Sequence, residues 1–344
     1  MAIRRSMLCA ALAGGLAIGA AACSSSSSSS GSAASSSSSA SSTATSTSSA
    51  SSGQKFTVAL VPGDSTDPFY LSMEAAGQAE ATKLGMGFIW EGAADFSPEA
   101  QQPVLAALLA RHPSALLVAP TDPSALTGTL EQFKSAGIPI ITVDTTITDT
   151  SILTSRITSD NTQGGAEAAD ACGAAMKGTG SAAVIYTTPG TTTTNARGQG
   201  FIAEMKAKYP SVTVYSEYDN NTESTATTQV SSLLLAHSNL TCIFGTNDYA
   251  AEGAATAVDT AHDASKVTIA GYDAEPALVS LLKNHTISII IAQKPALEAT
   301  MAVEYAYDAL TGKTASVQSS VQLPNVTMTT TNINDPSVSE WIYK

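Results

Sequence analysis

The sequence predicts an α/β fold of two lobes, each a mostly parallel β-sheet with helices on both faces. Three observations carry this expectation. From residue 55 onward, short apolar runs alternate with amphipathic stretches, the rhythm of βαβ units. The rhythm breaks once, between about residues 151 and 160, and then starts again. The remaining length, about 290 residues, is long for a single hydrophobic core.

The first series opens with FTVALVP (56–62), a buried strand, followed by a helix over 69–84 with small and apolar residues on one face. GFIW (87–90) reads as a strand, 98–111 as a helix, ALLVAP (115–120) as a strand, 123–136 as a helix and IPIITVD (138–144) as a strand. Pro98 and Pro123 stand near helix starts, where a missing N–H is tolerated. Residues 151–158 read as extended, with no convincing helix between them and the preceding strand. Asp160-Asn161-Thr162 is a run of good helix caps. The second series then has strands over 181–187, 212–218, 240–245, 267–272 and 287–292, with helices over 195–208, 222–237, 247–260, 275–283 and 295–311 and an extended segment after them.

Ligands of open α/β sheets sit beyond the carboxyl ends of the strands. The residues expected there are Asp64, Asp67, Phe69 and Tyr70 after the first strand, and Trp90 and Glu91 after the second. Asp122 follows the third strand and Asp144 the fourth; the second series places Arg197, Tyr218, Asn247, Asp248, Asp273 and Gln293. Carboxylates accept hydrogen bonds, a guanidinium donates in a fork and amides do both, so this set suits neighbouring hydroxyls. Aromatic faces suit the C–H side of a sugar ring. A plainer reading makes such residues loop solvation and helix caps; Asp122 and Asp248 fit as N-caps. The clustering at one edge favours a polyhydroxylated ligand.

Residues 1–22 have the character of an export signal: Arg4 and Arg5, an apolar stretch from Met7 to Ile18, then small residues. The arginine pair leaves general and twin-arginine secretion both open. Cys23 follows Ala20-Ala21-Ala22 in a context that resembles a bacterial lipobox, with Ala20 in place of the favoured leucine. The same alanines fit ordinary cleavage without a lipid. Residues 24–53 are almost entirely Ser, Ala, Thr and Gly, too poor in apolar surface to fold. A tether of this length reaches roughly 30 Å, useful when one end is fixed. The expectation is export, with lipid on Cys23 holding the protein to the extracytoplasmic face of the cell membrane.

The net charge is −13, and removing residues 1–22, with their two arginines and no acids, makes it −15. Such a surface argues against nucleic acid and against lying along an anionic membrane. Cys172 and Cys242 are the two cysteines of the folded region. An oxidising exterior permits a disulfide between them; two buried thiols are the other reading. The four histidines have no ligand spacing, so no metal and no cofactor are expected. Nor is an enzyme: there is no G-x-S-x-G and no H-E-x-x-H, and TGKT (311–314) has Tyr307 where a phosphate loop needs glycine.

In order and spacing, DPFY (67–70), VDTT (143–146), SDN (159–161), ARGQGF (196–201), FGTND (244–248), GYD (271–273) and AQKP (292–295) form a specific set. From about Phe56 onward the chain resembles periplasmic sugar-binding proteins of the ribose-binding type, substrate-binding lipoproteins among them. The resemblance implies a type I periplasmic binding protein fold, two Rossmann-like lobes joined by three crossovers that close on a sugar. It implies a first lobe of 55–159 and 294–322, and a second of 160–293 and 323–344. It assigns ligand binding to Asp67, Phe69, Tyr70, Asp144, Arg197, Asn247, Asp273 and Gln293, with Tyr218 as a further aromatic. Asp67 replaces the family's asparagine. Gly63 replaces a serine on the first strand, and Thr145 an arginine after the fourth-strand aspartate. These departures point away from ribose itself, toward another pentose, a tetrose, a hexose or an alditol. The implied partners are that small ligand and the membrane subunits of an ABC permease, with the binding protein itself a monomer. A repressor of the same lobe plan would need a basic helix-turn-helix before residue 55. A receptor that presents its ligand to a sensor would use nearly the same binding chemistry.

Overall fold

The computed structural model describes residues 56–344. The expected signal (1–22), the acyl acceptor Cys23 and the tether (23–54) lie outside the described residues. Twelve strands occur among the described residues. They are β1 (Thr57–Val61), β2 (Gly87–Trp90), β3 (Ala115–Val118), β4 (Ile140–Val143), β5 (Ser155–Ser159), β6 (Gly180–Tyr186), β7 (Val212–Tyr218), β8 (Leu240–Gly245), β9 (Thr268–Tyr272), β10 (Ile289–Ala292), β11 (Val321–Leu323) and β12 (Val326–Met328). They form two six-stranded sheets, ordered β11-β5-β4-β3-β1-β2 and β12-β10-β9-β8-β6-β7. All pairings are parallel except β12 against β10. The second sheet repeats the strand order of the first.

The helices are α1 (Pro68–Lys83), α2 (Pro98–Ala110), α3 (Thr127–Ser135), α4 (Asn161–Ala175), α5 (Thr192–Lys208), α6 (Glu223–Ala236), α7 (Asp248–Thr260), α8 (Pro276–Lys283), α9 (Pro295–Leu310) and α10 (Pro336–Ser339). The strands read as apolar throughout because both faces are covered. Val58 and Leu60 pack with Met73 of α1 and Val303 of α9. Their neighbours Ala59 and Val61 point the other way, onto Leu105 of α2 and Phe133 of α3. In the second sheet Ala182 and Val184 meet Ala168 of α4 and Phe201 of α5. Ala183 and Ile185 meet Val230 of α6 and Ala254 of α7. This two-sided burial is the strand period of two at work.

Three stretches of chain pass from one sheet to the other: Ser159 into α4, Ala292 into α9, and Leu323 to Val326. α4 packs on β8, β9 and β10, and α9 on β3, β4 and β5. Cys172 of α4 and Cys242 of β8 are joined by a disulfide with a Cα separation of 5.7 Å, which pins that helix to the second sheet.

Two local expectations change. The third helix begins at Thr127, not near 123, because Asp122 Oδ1 accepts from the Ser124 and Ala125 N–H groups and closes a turn first. The cap of α7 is Asn247, whose Oδ1 accepts from Ala250 N; Asp248 is the first helical residue and is buried.

Candidate functional site

In each sheet the strand order reverses beside the first strand of its series, at β3-β1-β2 and at β8-β6-β7. Loops diverge there and leave a crevice at the strand carboxyl ends. A narrow cavity lies at these ends, with residues from both sheets in its wall. The first half of the wall holds Asp67, Phe69 and Tyr70 at the start of α1, Phe96 after β2, and Asp144 after β4. The second half holds Thr187, Thr193 and Arg197 after β6, Asn221 after β7, Asn247 after β8 and Asp273 after β9, with Gln293 after β10.

Arg197 is the cation of this wall, and it is 2% exposed. Its Nε donates to Asn161 Oδ1 at 2.8 Å and Nη1 to the Thr246 carbonyl at 2.8 Å. Its guanidinium lies 3.8 Å from the Tyr272 ring centroid, a cation–π contact. Nη2 has no hydrogen-bond partner. The backbones of α4 and α5 must touch for this geometry: a Cβ at Gly165 would lie 1.8 Å from the Arg197 carbonyl oxygen.

The three carboxylates share one pattern. Asp67 Oδ1 caps α1 by accepting from Phe69 N at 2.8 Å. Asp144 Oδ2 accepts from Tyr70 Oη at 2.7 Å. Asp273 Oδ1 accepts from Gln293 Nε2 at 2.7 Å and Tyr343 Oη at 2.9 Å. In each, one oxygen is tied and the other has no side-chain donor within hydrogen-bonding distance; Asp144 Oδ1 and Asp273 Oδ2 each lie 3.9 Å from an Arg197 nitrogen. Asp144 and Asp273 follow the fourth strand of their respective sheets. Both have positive φ, 58° and 79°, a conformation that aspartate tolerates better than most residues and that clusters at functional sites.

Burial pushes Asp144 up to about 6, against the opposing pull of Arg197. Burial likewise raises Asp273, with Arg197 opposing it. Asp67 is held well above the usual carboxylate range by burial, and further by the charges of Asp248 and Asp273. The wall mixes acceptors with donors: the untied oxygens of the three carboxyl groups and the unpaired Gln293 Oε1 stand with the unpaired Arg197 Nη2 and the amides of Asn221 and Asn247. Such a wall is complementary to a neutral molecule carrying several O–H donors.

Eight of the residues expected from the sequence thus come together: Asp67, Phe69, Tyr70, Asp144, Arg197, Asn247, Asp273 and Gln293. Four do not. Tyr218 is 39% exposed and packs its ring 5.3 Å from that of Tyr186, because β7 is the edge strand and turns its last side chain outward. Trp90, at the end of edge strand β2, lines an outer cleft with Glu91, Pro103 and Val104. Asp122 is spent on its turn. Thr145 lies behind Asp144, in a separate hollow with Thr146 and Arg156.

Phe96, Thr187, Thr193 and Asn221 were missed by sequence reasoning. The signal for Phe96 was Gly63: a Cβ there would lie 2.5 Å from the Phe96 ring and 2.8 Å from Tyr70 Oη. The serine-to-glycine departure is therefore the space that the Phe96 ring fills. Asn221 is linked to the site by accepting from Asn247 Nδ2 at 2.9 Å. Behind the wall, Glu298 of α9 accepts from Asp144 N and Ser159 Oγ, both at 3.0 Å.

Residues 58–314 match the family described as periplasmic binding protein domain. The chain belongs to that family. Its two parallel-dominated sheets have the type I periplasmic binding protein fold. The ribose import binding protein of Bacillus subtilis is 30% identical over 276 residues, which are 80% of this chain and 88% of that protein. Among solved structures, an ABC transporter solute-binding protein of Agrobacterium vitis bound to α-D-tagatopyranose is 36% identical, with a TM-score of 0.81 over 84% of this chain and all of the other. A carbohydrate transporter solute-binding protein of Agrobacterium radiobacter in complex with D-arabinose is 26% identical, with a TM-score of 0.80 over 85% of this chain and all of the other.

Proposed function

We propose that this periplasmic binding protein captures a neutral monosaccharide or sugar alcohol in the cavity between its sheets and hands it to an ABC permease, without chemical change. The supporting observation is the set of half-free carboxylates around one buried guanidinium. Each carboxylate takes a hydroxyl proton, and Arg197 Nη2 returns a donor to a ring or hydroxyl oxygen. Phe69 and Phe96 offer apolar faces to C–H groups. A sugar phosphate or sugar acid would bring its negative charge against three buried carboxylates and is disfavoured. The sugars bound by the relatives, ribose, tagatose and arabinose, are neutral.

In this reading the lobes are 55–159 with 294–322 and 160–293 with 323–344, and they close on the ligand. Asp67, Phe69, Tyr70 and Asp144 form one jaw, Arg197, Asn247 and Asp273 the other, and Gln293 stands at a crossing. Only the closed state makes both sets of contacts, so ligand shifts the population toward it. Residues 1–22 direct export, and acylated Cys23 with the serine-rich stretch tethers the domain outside the membrane.

A thermal-shift screen tests the proposal, using D-ribose, D-arabinose, D-tagatose, alditols and, as anionic controls, sugar phosphates and sugar acids. A bound ligand at 100 times its Kd adds about 2.7 kcal/mol of stability. Stabilisation by a neutral polyol is expected. Stabilisation by the anionic compounds alone would reject the reading.

A further inference from the structure

The two aspartates that flank Arg197 are held in the same way from opposite sheets. Each follows the fourth strand of its sheet, has positive φ and gives one oxygen to a tyrosine hydroxyl. For Asp144 that tyrosine is Tyr70, which also lines the cavity. For Asp273 it is Tyr343, outside the cavity lining, 70 residues after Asp273 and 50 after Gln293. Tyr343 is 5% exposed. Its backbone N–H donates to the Ala274 carbonyl at 3.0 Å, fixing it to the loop that carries Asp273. Its ring meets Phe69 edge-on, centroids 5.9 Å apart, so it also touches the helix that starts the other half of the site. Its hydroxyl donates to Asp273 Oδ1 at 2.9 Å and accepts from Gln293 N at 3.3 Å. The segment is anchored independently: Asp335 caps α10, and Lys294 Nζ lies 4.5 Å from the Trp341 ring centroid.

We propose that Tyr343 is a positioning residue of the binding site, which fixes Asp273 Oδ1 and the Gln293 backbone so that Asp273 Oδ2 and Gln293 Oε1 are presented to the ligand. The proposal rests on the functional reading above for the identity of that ligand, but its geometry does not. With Oδ1 engaged by Tyr343 and by Gln293 Nε2, the carboxylate cannot rotate without breaking two bonds. A hydroxyl that donates to a carboxylate favours its charged form. Tyr343 remains a donor, since burial and then the Asp273 charge push its own ionisation well up. The titratable and charged groups that face Asp273, besides Tyr343, are Arg197 from α5, Asp144 after β4, Asp67 ahead of α1, Tyr272 at the end of β9, and Asp248 and Glu275 at the starts of α7 and α8. None of them is altered by removing one hydroxyl.

Tyr343→Phe keeps the ring against Phe69 and deletes only the hydroxyl. Two readouts separate this proposal from the functional one. In the unliganded protein, the carboxyl carbon signal of Asp273 should titrate at higher pH in the variant than in wild type, because a donor to the charged form is gone. An unchanged titration overturns the proposal, whatever sugar binds. For a sugar that wild type binds, D-tagatose or D-ribose being the first probes, the variant's Kd should rise about tenfold, the effect of one charge-assisted hydrogen bond. The acid limb of its affinity against pH should move upward. An unchanged Kd and acid limb, in a protein whose wild type binds, also overturn it. Failure of wild type to bind any probe rejects the functional reading and leaves the Asp273 titration to decide this one.

Discussion

Replacing Arg197 with alanine tests the site at its centre. The side chain makes two direct hydrogen bonds, to Asn161 Oδ1 and the Thr246 carbonyl, and stacks on Tyr272. It is also the cation facing Asp144 and Asp273, at 3.9 Å from each. Its removal leaves those carboxylates buried beside Asp67 without compensation, and removing one partner of a buried ionic group costs about 3–5 kcal/mol. Much of that strain is relieved by proton uptake, so the variant should lose stability most at pH 8 and least near pH 5. Binding loses the free Nη2 donor, a charge-assisted bond of about 1.5–3 kcal/mol, or roughly tenfold to a hundredfold in Kd. Isothermal calorimetry with whichever sugar the screen finds gives the measurement. Arg197→Met, which keeps an unbranched apolar stem in the buried space, guards against a fold too weak to assay. Asp122→Ala is the comparison: its carboxylate caps an exposed turn outside the cavity, so affinity should stay within about twofold, a change below ~0.5 kcal/mol. If Arg197→Met binds as tightly as Asp122→Ala and wild type, the ligand is not in this cavity.

Three further outcomes are expected. Asp144 and Asp219, raised by burial to about 6 and about 7, bind protons more tightly folded than unfolded. The unliganded protein should therefore gain stability as pH falls from 8 toward 5, while sugar affinity weakens over the lower part of that range as Asp144 loses its acceptor; a calorimetric Tm that falls, or a Kd that tightens, over that range would contradict this. Cys172→Ala with Cys242→Ala opens a link across 70 residues and should lower stability by about 2–4 kcal/mol in denaturant titration, with affinity unchanged because neither sulfur lines the cavity. Cys23→Ser should move the protein from the detergent phase to the aqueous phase in a phase-partition assay; wild type found wholly in the aqueous phase would remove the lipid and leave binding untouched.

The two-sheet architecture was legible because its signals are local. Val58 to Val61 and Ala182 to Ile185 are apolar at every position, and a strand covered on both faces leaves no other pattern. Residues that follow such strands must sit at their carboxyl edge, which is how Asp144 and Asp273 could be placed from sequence. What sequence could not rank was direction. Trp90 and Tyr218 also end strands, but β2 and β7 are edge strands, and edge position is a property of strand order.

The sequence by itself determined the alternation of strands and helices, the break between two series, and the residues available at each strand end, since all of these follow from periodicity and composition within windows of some ten residues. Only the tertiary structure decided which of them share one cavity and what fixes them there. Arg197 bonds to a residue 36 positions before it and another 49 after it, Asp144 leans on Glu298, and Asp273 on Tyr343. Contacts across such separations are set by the order of strands in each sheet and by backbone approaches such as Gly165 on Arg197, which no local pattern encodes.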